Sequence, residues 1–211
     1  MKYIIMCGGK YTRKNFRQLI EINGEPIVAR TIRLLRENGI EDIAISATSE
    51  RFEGFGVPVL HHDNNFVEGV QGSWVDGFYP MESPVCYVMG DVVFSPEAIR
   101  TIVETETDGI QFFASAPPYS SDYMRTWEEP FAFKVVDTER FFDAIGYTRE
   151  NKHLFAREPL SWELWQVIKG SELNKVEHNY VEIHDYTCDV DSRDEQPIME
   201  RIVQKYEVKH G

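Results

Sequence analysis

The chain has 211 residues, with 35 acidic against 22 basic side chains, a formal net charge of −13 and a hydrophobic fraction of 42%. At about 100–200 residues per domain, this is a single domain spanning 1–211, long enough for a sizeable core. A negative coat repels phosphate backbones and anionic lipid, which argues against general nucleic-acid binding and membrane adhesion unless a local patch opposes the average. Cys7, Cys86 and Cys188 are an odd number without metal-type spacing, which suits reduced thiols in a cytoplasmic protein. No run approaches the roughly 18 apolar residues of a membrane span. Tyr3-Ile4-Ile5-Met6-Cys7 is too short for a signal-peptide core and reads as a buried strand.

In chain order, a strand over 2–7 is followed by a polar loop over 8–18, a short apolar piece at Leu19-Ile20-Glu21-Ile22 and a turn at Asn23-Gly24. A helix follows: Pro26 suits its first turn, Val28, Ile32 and Leu35 repeat at i, i+4, i+7, and Gly39 stands where a left-handed C-terminal residue is wanted. Asp42 to Ala47 is a second apolar strand, so the unit is strand, helix, parallel strand with a right-handed crossover. The alternation predicts a short strand at Val57–Leu60, a helix over 66–79, a buried strand Val85–Met89 ending in Gly90-Asp91, and a helix opened by Ser95-Pro96 and running to Glu104. Strands at Ile110–Ser115 and Phe131–Val136, an aromatic-rich helical middle from Glu139 to Ile168, a strand near Tyr180–Ile183 and a closing helix with a Ser192/Glu195 capping box complete the chain. This is an α/β domain with a mainly parallel sheet flanked by helices and a variable insertion at about 115–180.

Open α/β sheets bind ligands beyond the carboxyl ends of their strands, which directs attention to Gly8-Gly9-Lys10-Tyr11-Thr12-Arg13-Lys14 and to Gly90-Asp91. The positive charge is concentrated there: Lys2, Lys10, Arg13, Lys14 and Arg17 all precede the first acid, Glu21. Glycines expose backbone N–H groups and the cations neutralise phosphate oxygens, although a solvated basic loop has the same composition. Neither a Walker sequence nor a dinucleotide fingerprint is present, which argues against a kinase or a nicotinamide dehydrogenase. Asp91 is placed to bind a divalent cation or to cap the next turn. Asp189 and Asp191 alternate onto one strand face, where two like charges are costly unless a cation or donors sit between them.

Ile5-Met6-Cys7-Gly8-Gly9-Lys10-Tyr11-Thr12-Arg13, Arg17-Gln18-Leu19 and Asn23-Gly24-Glu25-Pro26-Ile27 together resemble the start of the sugar-nucleotidyltransferase-like family. Gly90-Asp91-Val92 is similar to that family's magnesium-binding aspartate, and Asp189-Val190-Asp191-Ser192 to its C-terminal metal element. The resemblance covers 1–50 most firmly, then 84–104 and 186–204, and it is weak over 105–180. It departs at Tyr11, which stands where the family has a second loop glycine, and at Phe16-Arg17, which replaces the usual Pro-Lys.

The resemblance implies a Rossmann-like nucleotide-diphospho-sugar transferase fold and a small cytidylyl- or uridylyltransferase. Such an enzyme moves a nucleoside monophosphate from a triphosphate (CTP or UTP) to a phosphorylated acceptor, releasing pyrophosphate with Mg2+. It implies Arg13, Arg17 and Asp91 as catalytic residues and Asp91, Asp189 and Asp191 as magnesium ligands. Met6, Cys7, Gly8, Gly9, Lys10 and Lys14 would line the nucleotide cleft, with Ser73 of Gln71-Gly72-Ser73 near base or ribose. His61-His62-Asp63 invites a metal reading, but adjacent strand histidines point to opposite sides, so a polar strand end is expected.

The acceptor is a sugar 1-phosphate, a polyol phosphate or phosphocholine, the last through a cage drawn from Tyr123, Trp127, Phe131, Tyr147, Trp162, Trp165 and Tyr180, residues that equally suit a core. The expected partners are these small molecules, with the chain a monomer or homodimer. A glycosyltransferase using Asp189-Val190-Asp191 as a DxD triplet and a non-catalytic nucleotide-binding regulator are the alternatives.

Overall fold

The structure, a computed structural model, describes residues 1–8, 16–61, 74–115, 129–175 and 179–207. Lys2–Met6 form β1, whose Tyr3, Ile4 and Ile5 are all buried, as in a strand covered on both faces. Glu21–Ile22 (β2) and Glu25–Pro26 (β3) form a hairpin. Its two turn residues, Asn23 and Gly24, have φ of 52° and 81°, the left-handed region that Asn-Gly tolerates best. Helix α1 (Ile27–Glu37) buries Val28, Ile32 and Leu35, and Gly39 follows it at φ 78°.

The alternation then continues through β4 (Ile43–Ala47), β5 (Val59–His61), β6 (Val85–Met89), β7 (Val92–Val93) and α2 (Pro96–Glu104). Ser95 Oγ caps α2 by accepting from the Ala98 N–H at 2.9 Å, as expected of Ser-Pro. Strands β8 (Ile110–Ser115) and β9 (Glu129–Val135) precede α3 (Thr138–Glu150) and α4 (Ser161–Lys169). The expected helical middle is thus two helices separated by a 3-10 turn at Lys152–Leu154. Strands β10 (Val181–Glu182) and β11 (Cys188–Asp189) and helix α5 (Gln196–Glu207) close the chain. Residues 66–73 of the expected 66–79 helix lie outside the described residues, and Trp74–Gly77 form a 3-10 turn rather than α-helix.

Seven strands form one mixed sheet in the order β10-β8-β9-β6-β1-β4-β5. The β6-β1-β4-β5 half is parallel, β9 is antiparallel to both of its neighbours, and β10 returns parallel to β8. The large core lies between this sheet and its helices, and it takes in Phe112, Phe133, Phe141, Trp162 and Trp165. A separate antiparallel pair, β7 with β11, sits over a smaller core formed by Ile20, Ile22, Ile27, Val190 and Met199.

Arg30 locks α5 to this second core. It is 3% exposed and donates to Phe94 O (3.1 and 2.9 Å), to the Tyr186 hydroxyl (3.2 Å) and to Glu207. Removing one member of a buried, hydrogen-bonded ion pair strands its partners, so Arg30→Ala is expected to lower unfolding free energy by about 3 kcal/mol. The urea midpoint measures this, and Arg30→Lys should recover part of the loss.

Candidate active site

From β1 the chain runs outward to β4 and β5, then returns to place β6 on the other side of β1. The direction of winding therefore reverses between β1 and β6, and a crevice opens at their carboxyl ends. Gly90 draws these ends together: its N–H donates to Met6 O at 3.1 Å, and a Cβ on it would lie 2.3 Å from Met6 O and 2.9 Å from Cys7 Sγ. Asp91 follows at once. Its backbone carbonyl accepts from the Val190 N–H (2.9 Å), and the β7–β11 ladder sets Asp189 opposite Val92. Local pairing thereby brings two distant acidic elements to one place.

Arg17, in a 3-10 turn (Arg17–Leu19), reaches between them. Its Nη1 is 2.6 Å from Asp191 Oδ1 and 3.7 Å from Asp91 Oδ2. Glu195 Oε2 accepts from the Asp191 N–H at 2.7 Å. The expected Ser192/Glu195 capping box is therefore corrected: α5 starts only at Gln196, and Glu195 reaches back four residues to steady Asp191 instead of closing a helix end. An S-x-x-E pattern marks a turn as well as a helix start, so its wording alone did not reveal this positioning role.

Arg17, Asp91, Asp189 and Asp191 line one cavity of about 370 Å³, with Trp74, Met89, Val92, Glu129, Pro130 and Arg157 and with Leu160, Ser161 and Trp162 from the start of α4. Four carboxylates (Asp91, Glu129, Asp189, Asp191) face two guanidinium groups (Arg17, Arg157) on its wall. Hard carboxylate oxygens suit Mg2+, which takes one or two of them and completes its shell with substrate oxygens and water. Among the described residues, however, no group of three His, Cys, Asp or Glu side chains is gathered as a metal site. The donor chemistry suits a divalent cation held by two of these carboxylates and completed by substrate oxygens and water.

The other expected site residues divide by location. Gly9, Lys10, Arg13, Lys14 and Ser73 lie outside the described residues, as do Tyr11, His62, Asp63, Tyr123 and Trp127. The Cys7 N–H donates to Ser46 O (2.8 Å) and its thiol is fully buried, while Met6 O accepts from Gly90, so these groups join strand ends. Gly8 is half-buried. His61 stands 3.4 Å from Glu53, a polar strand end as expected.

The aromatic cage is corrected among its described members. Phe131 and Trp165 are buried in the core, Tyr147 is exposed, and Tyr180 packs edge-on against Trp162. Of these, Trp162 lines the cavity, where Trp74 joins it. Trp74, Glu129, Arg157 and Ser161 carry no motif and escaped sequence reasoning; only the fold brings them together.

Residues 3–154 match the MobA-like NTP transferase domain. The chain belongs to this family. Among solved structures it is similar to one from Bacillus anthracis assigned as a glucose-1-phosphate thymidylyltransferase, in complex with a sucrose. That comparison gives a TM-score of 0.61 and 17% identity over 96% of this chain and 95% of that one. The inositol-1-phosphate CTP transferase of T. maritima gives 0.59 and 14%, covering 96% of each chain. The 4-diphosphocytidyl-2C-methyl-D-erythritol synthase of Anaerococcus prevotii gives 0.58 and 12% over 96% and 97%. A search of curated proteins returned no match. The fold expected from the sequence, a Rossmann-like nucleotidyltransferase fold with a mainly parallel mixed sheet, is the one observed, and the MobA-like chain is a nucleotidyltransferase domain. No helix among its described residues is long and apolar enough to cross a membrane.

Two measurements follow from the crevice geometry. In Gly90→Ala the Cβ meets backbone that cannot yield, so stability should fall by roughly 3 kcal/mol, read by thermal or urea unfolding. Burial, reinforced by Asp91, holds the Cys7 thiol well above its ordinary pKa, and burial pushes Cys86 up to about 12. Both therefore stay neutral at pH 8, and a disulfide reagent should label neither until the protein is unfolded.

Proposed function

We propose that this nucleotidyltransferase moves a nucleoside monophosphate from a pyrimidine triphosphate, CTP or UTP, to the phosphate of a small acceptor, releasing pyrophosphate with Mg2+. The observation that carries the reading is the gathering of Arg17, Asp91, Asp189 and Asp191, from three separate chain segments, on one cavity at the sheet's switch point. The names of the similar structures add thymidylyl, CTP and diphosphocytidyl chemistry, in two cases on a sugar or cyclitol 1-phosphate. Phe131 and Trp165 of the expected cage are in the core and Tyr123 and Trp127 lie outside the described residues, so a sugar or polyol phosphate, the acceptor class named for two of the similar structures, is the expected acceptor.

A phosphate oxygen of the acceptor is already ionised at neutral pH, so the reaction needs no activated serine or histidine. It needs two anions held in line and the charge on the transferring phosphorus neutralised. Asp91 with Asp189 or Asp191 would hold the divalent cation, which supplies charge neutralisation for the triphosphate when bound. Arg17, whose planar fork matches phosphate oxygens, exchanges its carboxylate partners for phosphate as the nucleotide arrives. Arg13, Lys10 and Lys14 of the basic loop, the backbone of Gly8 and Gly9, and Ser73 complete the nucleotide side in this reading.

Pyrophosphate release from CTP, UTP, dTTP, ATP and GTP, each paired with sugar 1-phosphates, polyol phosphates and phosphocholine, tests the proposal. Release is expected with CTP or UTP and a sugar or polyol phosphate, and Asp91→Asn should slow it by about 10²–10³-fold. Sugar transfer from a nucleotide sugar would point to a glycosyltransferase, and tight nucleotide binding without release by any pair to a regulator. Because Arg17 competes for the same carboxylates, Arg17→Gln is expected to bind Mn2+ more tightly than the parent protein in the absence of nucleotide, as read by paramagnetic resonance, while losing turnover. Equal or weaker Mn2+ binding would refute that competition.

A further inference from the structure

We infer that the N-terminal end of α4 is a built anion subsite that holds the acceptor's phosphate beside the transfer centre; this assignment rests on the reading of the cavity as the nucleotidyl-transfer site. Helix α4 runs for nine residues from Ser161, and the residue before it, Leu160, has no side-chain oxygen with which to cap the first N–H groups. Those groups have no partner in the α-helical ladder, whose first bond here is from the Leu164 N–H to Leu160 O at 3.0 Å. Glu163 does not fill the gap: its Oε2 accepts from the Leu160 N–H (2.9 Å) and its Oε1 from Arg157 Nε (2.8 Å). Glu163 already places one carboxylate in the first turn, spent on the Leu160 N–H and on Arg157, and the first-turn N–H groups that follow lie at the positive end of the helix dipole.

A second observation points the same way. Among the described residues, three buried side-chain polar atoms have no hydrogen-bond partner, and two of them, Ser161 Oγ and Trp162 Nε1, are adjacent residues in the first turn of α4. Ser161 is 1% and Trp162 5% exposed, and both line the same cavity as Arg17, Asp91, Asp189 and Asp191. An orphaned buried donor costs about 1–3 kcal/mol, and alanine and phenylalanine would fill these positions without that cost. A ligand that accepts hydrogen bonds accounts for both.

The chemistry of the end is biased to donors. Indole N–H and backbone N–H groups only donate, and a serine hydroxyl can donate, so the complementary ligand group is rich in acceptors and tolerates a positive potential. Arg157 adds charge at the rim: among the described residues its Nε is paired with Glu163, whose charge it balances, and the remaining N–H groups of the fork extend the donor set. A phosphate has these properties, and an uncharged hydroxyl does not use the charge. The carboxylates and Arg17 occupy the same cavity, so a phosphate seated on α4 lies on the wall shared with the expected position of the triphosphate.

Ser161→Ala and Trp162→Phe, singly and together, provide the test, because each deletes an unsatisfied polar atom and leaves the packing shape. Thermal stability is expected to be unchanged or higher. The KM for the acceptor should rise about tenfold, corresponding to roughly 1.4 kcal/mol, with the KM for the nucleotide unchanged. Inorganic phosphate titrated calorimetrically into the nucleotide-free protein should bind the double variant correspondingly more weakly. If both variants bind phosphate as the parent does while Arg17→Gln does not, the anion belongs to Arg17 and the subsite is refuted. If the double variant weakens binding of the unphosphorylated acceptor but not of inorganic phosphate, α4 holds acceptor hydroxyls and the assignment is equally overturned. Loss of phosphate binding in a protein that shows no pyrophosphate release with any pair would leave the subsite standing and refute nucleotidyl transfer instead. Normal release with an unaltered acceptor KM would do the reverse.

Discussion

The approach of two strand ends governs the arrangement of this protein. Met6 closes β1 and Met89 closes β6, and the next peptide, at Gly90, hydrogen-bonds Met6 O across a gap that admits no Cβ. The three aspartates of the candidate site are registered from that contact. Asp91 leaves the sheet immediately after it, β7 begins one residue later, and β11 pairs with β7 so that Asp189 and Asp191 return to Asp91 from a hundred residues further along the chain. Chain separations of this size carry a loop-closure cost that only the packed sheet and the second core repay.

Gathering carboxylates creates an electrostatic conflict that the fold answers with Arg17. Like charges a few ångströms apart on a part-buried wall raise one another's energy, and the guanidinium between Asp91 and Asp191 relieves it. Under the proposed function, the −13 net charge repels phosphate in general, and the Arg17 guanidinium with a bound divalent cation would offset that repulsion at the cavity. Glu195 and the Arg30–Glu207–Tyr186 cluster belong to this economy too: the first holds the Asp191 backbone, and the second fixes α5 and Phe94, next to β7.

Much of the fold was legible because its signals are local. Periodicity marked α1 and α2, Ser95-Pro96 and Gly39 marked their ends, and continuous apolar runs marked β1, β4 and β6 as buried strands. The carboxylates were legible through position, since Gly-Asp after a hydrophobic strand is informative in any α/β sheet. Other features were not. Ser192 and Glu195 have the spacing of a capping box, but their hydrogen bonds form a turn that serves Asp191. Phe131, Trp162 and Trp165 looked interchangeable as core or cage; packing sent two to the core and left Trp162 on the cavity wall as well.

By itself, then, the chain's order of residues determined the strand and helix alternation, the placing of glycine at the β6 end, and the presence of three aspartates and a basic segment suited to phosphate chemistry. Periodicity, capping and turn preferences act within a few residues and survive without knowledge of the whole. Only the tertiary structure decided that Arg17 spans Asp91 and Asp191, and that Trp74, Glu129, Arg157 and the first turn of α4 share their cavity. Those relations depend on strand order and on β7–β11 pairing, and contacts between residues a hundred positions apart leave no periodicity in the sequence from which to recover them.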